Sequence, residues 1–160
     1  MVTLLQSEGK IYNRYPDSNS LAHKDSFAQM TNLIQTIDSD TYEVAPITFT
    51  FPSQFEQNRL QEYMSRNKSA VFIVKPQAGS QGSGINIFKE IKDLPVSIDS
   101  SDVVIQRYLN KPLLLDGLKF DLRVYVVVVG IDPLRAYLCD EGLARFCTVS
   151  KKNVLKTYAN

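Results

Sequence analysis

The chain predicts a mixed α/β protein of the α+β kind, with two antiparallel-rich sheets flanked by helices, and three observations carry that expectation. Apolar residues first recur at helical spacing, over about Lys24–Ile37 and again from Ser53 to about Asn67. Short apolar runs at 71–74, 85–88 and 103–105 then alternate with Gly, Pro, Ser and Asp, the mark of strands joined by turns. A long strand-like tract begins at Phe120 and turns back on itself at Gly130-Ile131-Asp132-Pro133, which reads as a hairpin forming a second sheet.

Each element has a local reason. In the first helix Phe27, Met30, Leu33, Ile34 and Ile37 fall three and four apart, so these residues are expected to form its buried stripe; Asp38-Ser39-Asp40 ends it. The second opens with Pro52-Ser53-Gln54-Phe55-Glu56, where Ser53 is placed to accept from an orphan amide and Glu56 to reach back as in a capping box. Leu60, Tyr63 and Met64 give its buried stripe. Phe120–Val129 and Leu134–Cys139 form the expected hairpin, and Asp140-Glu141-Gly142 reads as a turn into a further strand, Leu143–Thr148. No internal repeat or low-complexity tract is present.

Composition bounds the function classes. A chain of 160 residues that is 44% hydrophobic can bury a core, and its net charge of +1 gives no global attraction to nucleic acid or to an anionic membrane. The apolar run Tyr125–Val129 is far short of a membrane span, and no basic-then-apolar leader opens the chain, so the cytoplasm is the expected compartment. Cys139 and Cys147 have neither a metal-ligand spacing nor a disulfide framework and are expected to be reduced, buried or half-buried thiols. Asn67-Lys68-Ser69 matches a glycosylation sequon and, without a leader, is taken as a chance match.

The chemistry concentrates between Val71 and Arg145. Gly79-Ser80-Gln81-Gly82-Ser83-Gly84 is neither a dinucleotide fingerprint nor a P-loop, and a kinase order is excluded because Lys75 precedes the loop. A strand, a glycine flap and a second strand can close backbone amides over phosphates; an ordinary hairpin loop has the same sequence. Lys75, at the end of a buried strand, can set its ammonium against phosphate oxygens. Lys119, Asp121 and Arg123 share one face of a strand, while Phe120, Leu122 and Val124 take the other. That face is either solvated or a nucleotide platform. Gln106-Arg107-Tyr108-Leu109 ends a buried strand and is either a plain crossover or a hinge that reads a base edge. Arg145, flanked by apolar residues, is either an edge residue in solvent or an anion ligand.

Taken together, Ile73-Val74-Lys75-Pro76, Ala78-Gly79-Ser80-Gln81-Gly82, Val104-Ile105-Gln106-Arg107-Tyr108-Leu109, Lys111-Pro112-Leu113-Leu114, Asp116-Gly117-Leu118-Lys119-Phe120-Asp121-Leu122-Arg123, Asp132-Pro133-Leu134-Arg135 and Glu141-Gly142-Leu143-Ala144-Arg145-Phe146 resemble the tubulin tyrosine ligase-like family, a branch of the ATP-grasp ligases. The likeness is greatest to the glutamate-adding branch and covers Lys75–Thr148 most strongly; Tyr15-Pro16 and His23-Lys24-Asp25 resemble divergent upstream segments. It implies an ATP-grasp fold with the nucleotide cleft between the sheets. The implied divisions are an N-terminal remnant at 1–22, a central domain at 23–107 and the start of a C-terminal domain at 108–160. The resemblance implies ATP contacts from Lys75, Gln81, Gly82, Gln106, Arg107, Tyr108, Leu109, Lys119, Phe120 and Asp121, with Lys24 and Arg123 at its phosphates. Arg145 would hold the incoming amino acid or the reacting phosphate, making Arg123 and Arg145 the implied catalytic pair.

The implied reaction starts with attack of a tubulin-tail glutamate carboxylate on the γ-phosphate of ATP, giving an acyl phosphate. The amine of free glutamate then displaces phosphate, with Mg²⁺ and the cationic side chains stabilising the charge. Implied partners are tubulin and free glutamate, acting with a monomeric protein at the cytoskeleton, cilium or basal body. The family's His-Leu-Thr-Asn segment and magnesium carboxylates have no counterpart before Asn160, so the metal ligands are expected beyond it and the 160 residues are expected to turn over little alone. A glycine or tyrosine ligase, or a nucleotide- or tubulin-binding fragment without catalysis, are the competing expectations.

Overall fold

The computed structural model describes Tyr15, Ser18 and residues 22–38, 44–77, 84–94 and 102–148. They form two units that divide between Tyr108 and Leu109.

The first unit contains helix α1 (Lys24–Ile37), strand β1 (Thr48–Phe51), helix α2 (Gln54–Arg66), β2 (Phe72–Pro76), β3 (Asn86–Phe88) and β4 (Val103–Arg107). Its strands make an antiparallel sheet in the order β1-β4-β2-β3. β1 was not expected from the sequence, yet Thr48-Phe49-Thr50-Phe51 is a two-residue alternation closed by Pro52. That alternation sorts the sheet into two unlike faces. Phe49, Phe51, Phe72, Val74, Phe88, Val103 and Ile105 lie on one face and bury with Leu60 of α2, Tyr63 and Met64 packing beside them. Aromatic contacts run through this layer: Tyr63 lies 5.9 Å from Phe49 and 6.1 Å edge-on to Phe72, and Phe72 stacks on Phe88 at 5.6 Å. The other face carries Thr48, Thr50, Lys75, Val104 and Gln106.

α2 starts as the sequence indicates, with Ser53 Oγ accepting from Glu56 N. Glu56 does not close the reciprocal half of the box; its carboxylate accepts from Thr50 N on β1 and pairs with Arg59, so the residue ties the helix start to the sheet. α1 spans the expected residues but presents a different side. Its buried stripe is Ala28 and Thr31, continued by half-buried Lys24 and Gln35 at the same spacing. Phe27, Met30, Leu33 and Ile37 of the expected stripe are exposed. The reason is the sheet face it covers: a layer of threonine, lysine and glutamine is matched by small and polar side chains. Asn32 Nδ2 donates to Thr48 O at 2.6 Å and Gln35 Nε2 to Ala45 O at 2.9 Å, so the helix is fastened by carboxamides as well as by packing.

The second unit is the sheet β5 (Leu114–Leu115), β6 (Leu118–Ile131) and β7 (Leu134–Phe146), in that order and antiparallel. The turn between β6 and β7 falls at Asp132-Pro133, as expected. The expected second turn at Asp140-Glu141-Gly142 is absent; β7 runs on and stays paired with β6 to Phe146. Those residues sit at an irregularity in the ladder, where Cys139, Asp140 and Glu141 lie opposite Tyr125 alone before Gly142 meets Val124. A turn signal and a bulge signal use the same small and acidic residues, so the local sequence does not separate the two. Gly142 is required there by close approach, since a Cβ would stand 2.6 Å from the Arg123 carbonyl oxygen. Cys139 and Cys147 are free thiols and both are exposed, against expectation, because β6 and β7 have solvent on both faces within this unit. Among the described residues no helix is long and apolar enough to cross a membrane.

Candidate functional site

The polar face of the first sheet brings three strands to one cluster. Thr48 on β1 is directly opposite Gln106 on β4, and Gln106 is diagonal to Lys75 on β2, whose own partner is Val104. Diagonal neighbours on one face are within reach of long side chains. Lys75 Nζ accordingly donates to Gln106 Oε1 at 2.7 Å. Gln106 Nε2 donates to Thr48 Oγ1 at 2.9 Å, and Thr48 Oγ1 donates to Pro46 O at 2.9 Å. Thr48, Lys75 and Gln106, with Lys24, Phe27, Ala28, Thr31, Ala45 and Val104, line a cavity of 260 Å³ between α1 and the sheet. A site of this size suits part of a nucleotide, since pockets that enclose a whole drug-sized ligand run from about 300 to 1,000 Å³.

Lys24 reaches the same neighbourhood from α1. Its ammonium donates to Pro76 O at 2.9 Å and Gln77 O at 3.0 Å, which fixes the end of β2 where the chain enters the glycine-rich segment. Among the described residues these two carbonyls are its partners, and an ammonium has a third donor that an anion can use. Gln81 and Gly82 lie outside the described residues. Gly84, at the far end of that segment, has φ +71°, and a Cβ there would lie 2.7 Å from Pro76 Cγ, so only glycine lets the returning strand pass.

The hinge residues divide. Gln106 belongs to the cluster, but the Arg107 side chain leaves on the opposite face and its guanidinium donates to Tyr63 Oη at 3.4 Å. Strand alternation dictates this, and the Arg107 side chain is therefore not grouped with Lys75. The amides of Arg107 and Tyr108 are committed to Ile47 O at 3.0 Å and Val71 O at 2.7 Å. A base edge read by backbone groups at this hinge would have to use carbonyls or the amide of exposed Leu109.

In the second unit Asp121 and Arg145 are cross-strand partners, and the guanidinium takes the carboxylate in a two-pronged contact, Nε to Oδ1 at 2.7 Å and Nη2 to Oδ2 at 3.0 Å. Lys119 and Arg123 flank Asp121 on its strand, while Phe120 packs against Phe146 at 5.7 Å between ring centres. The hydrogen-bonded Arg145 holds the Asp121 carboxyl below its ordinary range, with Arg123 and Lys119 adding to the effect; the pairing in turn raises Arg145. Being lowered on folding, the Asp121 pKa contributes stability above the ordinary aspartate range and loses it as pH falls through the folded value. In Arg145→Gln the Asp121 carboxyl is expected to titrate at higher pH than in wild type, followed by carboxyl chemical shifts; an unchanged midpoint would show the contact to be idle in solution.

Sequence reasoning missed Thr48 because β1 itself was missed, although the Thr-Phe-Thr-Phe alternation before Pro52 was the available signal. It also missed that Lys24, Ala28, Thr31 and Gln35 form the covering face of α1.

A mixed α+β chain with two antiparallel sheets, a strand-borne lysine before a glycine-rich segment and a charged strand beyond it has the make-up of part of an ATP-grasp domain. Residues 3–158 match the tubulin-tyrosine ligase family, and the chain belongs to that family. It is 42% identical over 142 residues to a probable beta-tubulin polyglutamylase of Tetrahymena thermophila, covering 89% of this chain and 12% of that protein. It is 38% identical over 136 residues to tubulin polyglutamylase ttll6 of Danio rerio, covering 85% of this chain and 17% of that protein. With tubulin polyglutamylase TTLL7 of Mus musculus it shares 36% identity over 150 residues, 92% of this chain and 16% of the relative. The chain thus spans 12% to 17% of the length of these curated relatives.

Proposed function

We propose that this chain is part of an ATP-dependent ligase that adds amino acids, glutamate above all, to glutamate side chains in the C-terminal tails of tubulin. The observation that carries the reading is the Lys75–Gln106 pair beside the α1 cavity, in a family whose matched relatives are named tubulin polyglutamylases. Lys75 and Gln106 bind ATP, the Lys75 ammonium serving its phosphates. In the second unit Lys119 and Asp121 are assigned to nucleotide as well. A carboxylate that accepts one bond per oxygen from Arg145 still has lone pairs for a ribose hydroxyl. Lys24 and Arg123 face phosphate, and Arg145 holds the incoming amino acid or the reacting phosphate.

The reaction proceeds as two displacements. A carboxylate oxygen of a tail glutamate attacks the γ-phosphorus of ATP, and ADP leaves as the acyl phosphate forms. The amine of free glutamate then attacks the acyl carbon, its proton is lost to solvent, and inorganic phosphate leaves as the isopeptide bond closes. Both steps build negative charge on oxygens, which fixed ammonium and guanidinium groups stabilise. Among the described residues no group of three or more His, Cys, Asp or Glu comes together as a metal site, so no step is assigned to magnesium through them. Tubulin as substrate places the protein at the cytoskeleton, in the cytoplasm, cilium or basal body, acting as a monomer.

The test is made on the polypeptide that carries these residues, isolated from its native cell and incubated with tubulin, Mg·ATP and labelled glutamate or glycine. Glutamate in the tubulin tails, with one ADP formed per residue added, is the expected result. Label from glycine instead would reassign the added amino acid, and no incorporation of either would overturn the ligase reading.

A further inference from the structure

The orientation of the Gln106 carboxamide is fixed by chemistry on both sides of it. Thr48 has one hydroxyl hydrogen, and it is donated to Pro46 O at 2.9 Å. Toward Gln106 the hydroxyl can therefore only accept, and it does so from Nε2 at 2.9 Å. The amide oxygen is then turned to Lys75, whose ammonium donates to it at 2.7 Å. The reverse rotamer would set the amide NH₂ against an ammonium, donor against donor. Thr48 is itself buried and anchored: it is 3% exposed, and Asn32 Nδ2 of α1 donates to its carbonyl at 2.6 Å.

We infer that Thr48 is a positioning residue for the Lys75–Gln106 pair, acting through the Gln106 amide to hold the Lys75 ammonium at one place on the wall of the α1 cavity. The inference rests on the nucleotide reading of that cavity and adds to it a residue on a different strand, which lines the cavity and acts through the Gln106 amide. Without the hydroxyl, Gln106 Nε2 keeps only the 3.5 Å approach to Pro46 O, and the amide loses the constraint that points its oxygen at Lys75.

The experiment is calorimetric titration of the 160-residue chain with ATP, for wild type, Thr48→Val, Thr48→Ser, Lys75→Ala, Gln106→Ala and the double variant Thr48→Val/Gln106→Ala. Valine keeps the shape and β-propensity of threonine without its hydroxyl, so the expected loss of ATP affinity is about tenfold, the equivalent of one hydrogen bond. Serine is expected to restore binding to within about twofold. In the Gln106→Ala background the valine substitution is expected to cost nothing further, which a merely structural role for Thr48 would not produce. Wild-type affinity in Thr48→Val, or an equal loss in both backgrounds, would overturn the inference while leaving the nucleotide reading intact. A wild-type chain that does not bind ATP, or binds it equally well as Lys75→Ala, takes down that reading and the inference with it. Should Thr48→Val fail to fold, the wild-type protein decides: resolved, slowly exchanging Gln106 side-chain amide resonances that shift with ATP support the role, and averaged, freely exchanging ones exclude it.

Discussion

Lys75→Ala is expected to abolish the thermal stabilisation that ATP confers on this chain. A ligand that binds only the folded state at about a hundred times its dissociation constant adds about 2.7 kcal/mol, a readily measured rise in melting temperature. In the proposed site Lys75 carries the most weight: it lies near the end of β2, and its ammonium donates to Gln106 beside the cavity. Removing the side chain takes away the cation and leaves Gln106 Oε1 without its 2.7 Å donor. Lys75→Met keeps the apolar stem but loses both the charge and the donor to Gln106, so it separates the loss of the stem's packing from the loss of the ammonium. Lys119→Ala is expected to lose ATP-dependent stabilisation as well. Unchanged thermal shifts in both alanine variants would mean that ATP, if it binds, binds elsewhere.

Phe72→Ala should be the most damaging substitution for the fold itself. Phe72 has no exposed surface, sits on β2 between Tyr63 and Phe88, and packs in the layer that joins the sheet to α2. Truncating a buried phenylalanine costs about 3–5 kcal/mol, a large part of the roughly 5–15 kcal/mol that holds a domain together. The urea midpoint is expected to fall accordingly, with the far-ultraviolet signal lost at lower denaturant. A loss under about 1 kcal/mol would show that the aromatic layer is not the core of this unit. Because Phe72 and Lys75 are on opposite faces of one strand, the two substitutions separate folding from binding.

What the sequence made legible follows from which faces are apolar. α2 was placed with its capping serine and its stripe because that stripe meets phenylalanines, and the hydrophobic pattern reports such contacts directly. α1 was placed in sequence but turned the wrong way, because its covering face meets a polar sheet surface and is made of Lys24, Ala28, Thr31 and Gln35. Hydrophobic periodicity is blind to a polar layer, and a polar layer is what a candidate binding face requires. Thr48 belongs to β1, whose Thr-Phe-Thr-Phe alternation is a signal only four residues long. Lys75, Gln106, Asp121 and Arg145 were legible as chemistry-bearing residues, but not their partners: that Gln106 turns its oxygen to Lys75 depends on Thr48 across β1, and that Asp121 faces Arg145 depends on a register set by a bulge read as a turn. The expectation for Gln106–Leu109 concerns backbone groups that read a base edge; strand alternation bears only on side chains, and it puts that of Arg107 on the face opposite Gln106.

The central claim is that the polar face of the first sheet, under α1, binds ATP. Its most direct test is an ATP titration of the isotopically labelled chain followed residue by residue by nuclear magnetic resonance. The account predicts saturable shifts at Thr48, Lys75, Val104 and Gln106, with Phe72 and Ile105 on the opposite face little affected. Absence of any shift at saturating ATP would contradict it, as would shifts confined to the separate cavity lined by Lys68 and Lys89.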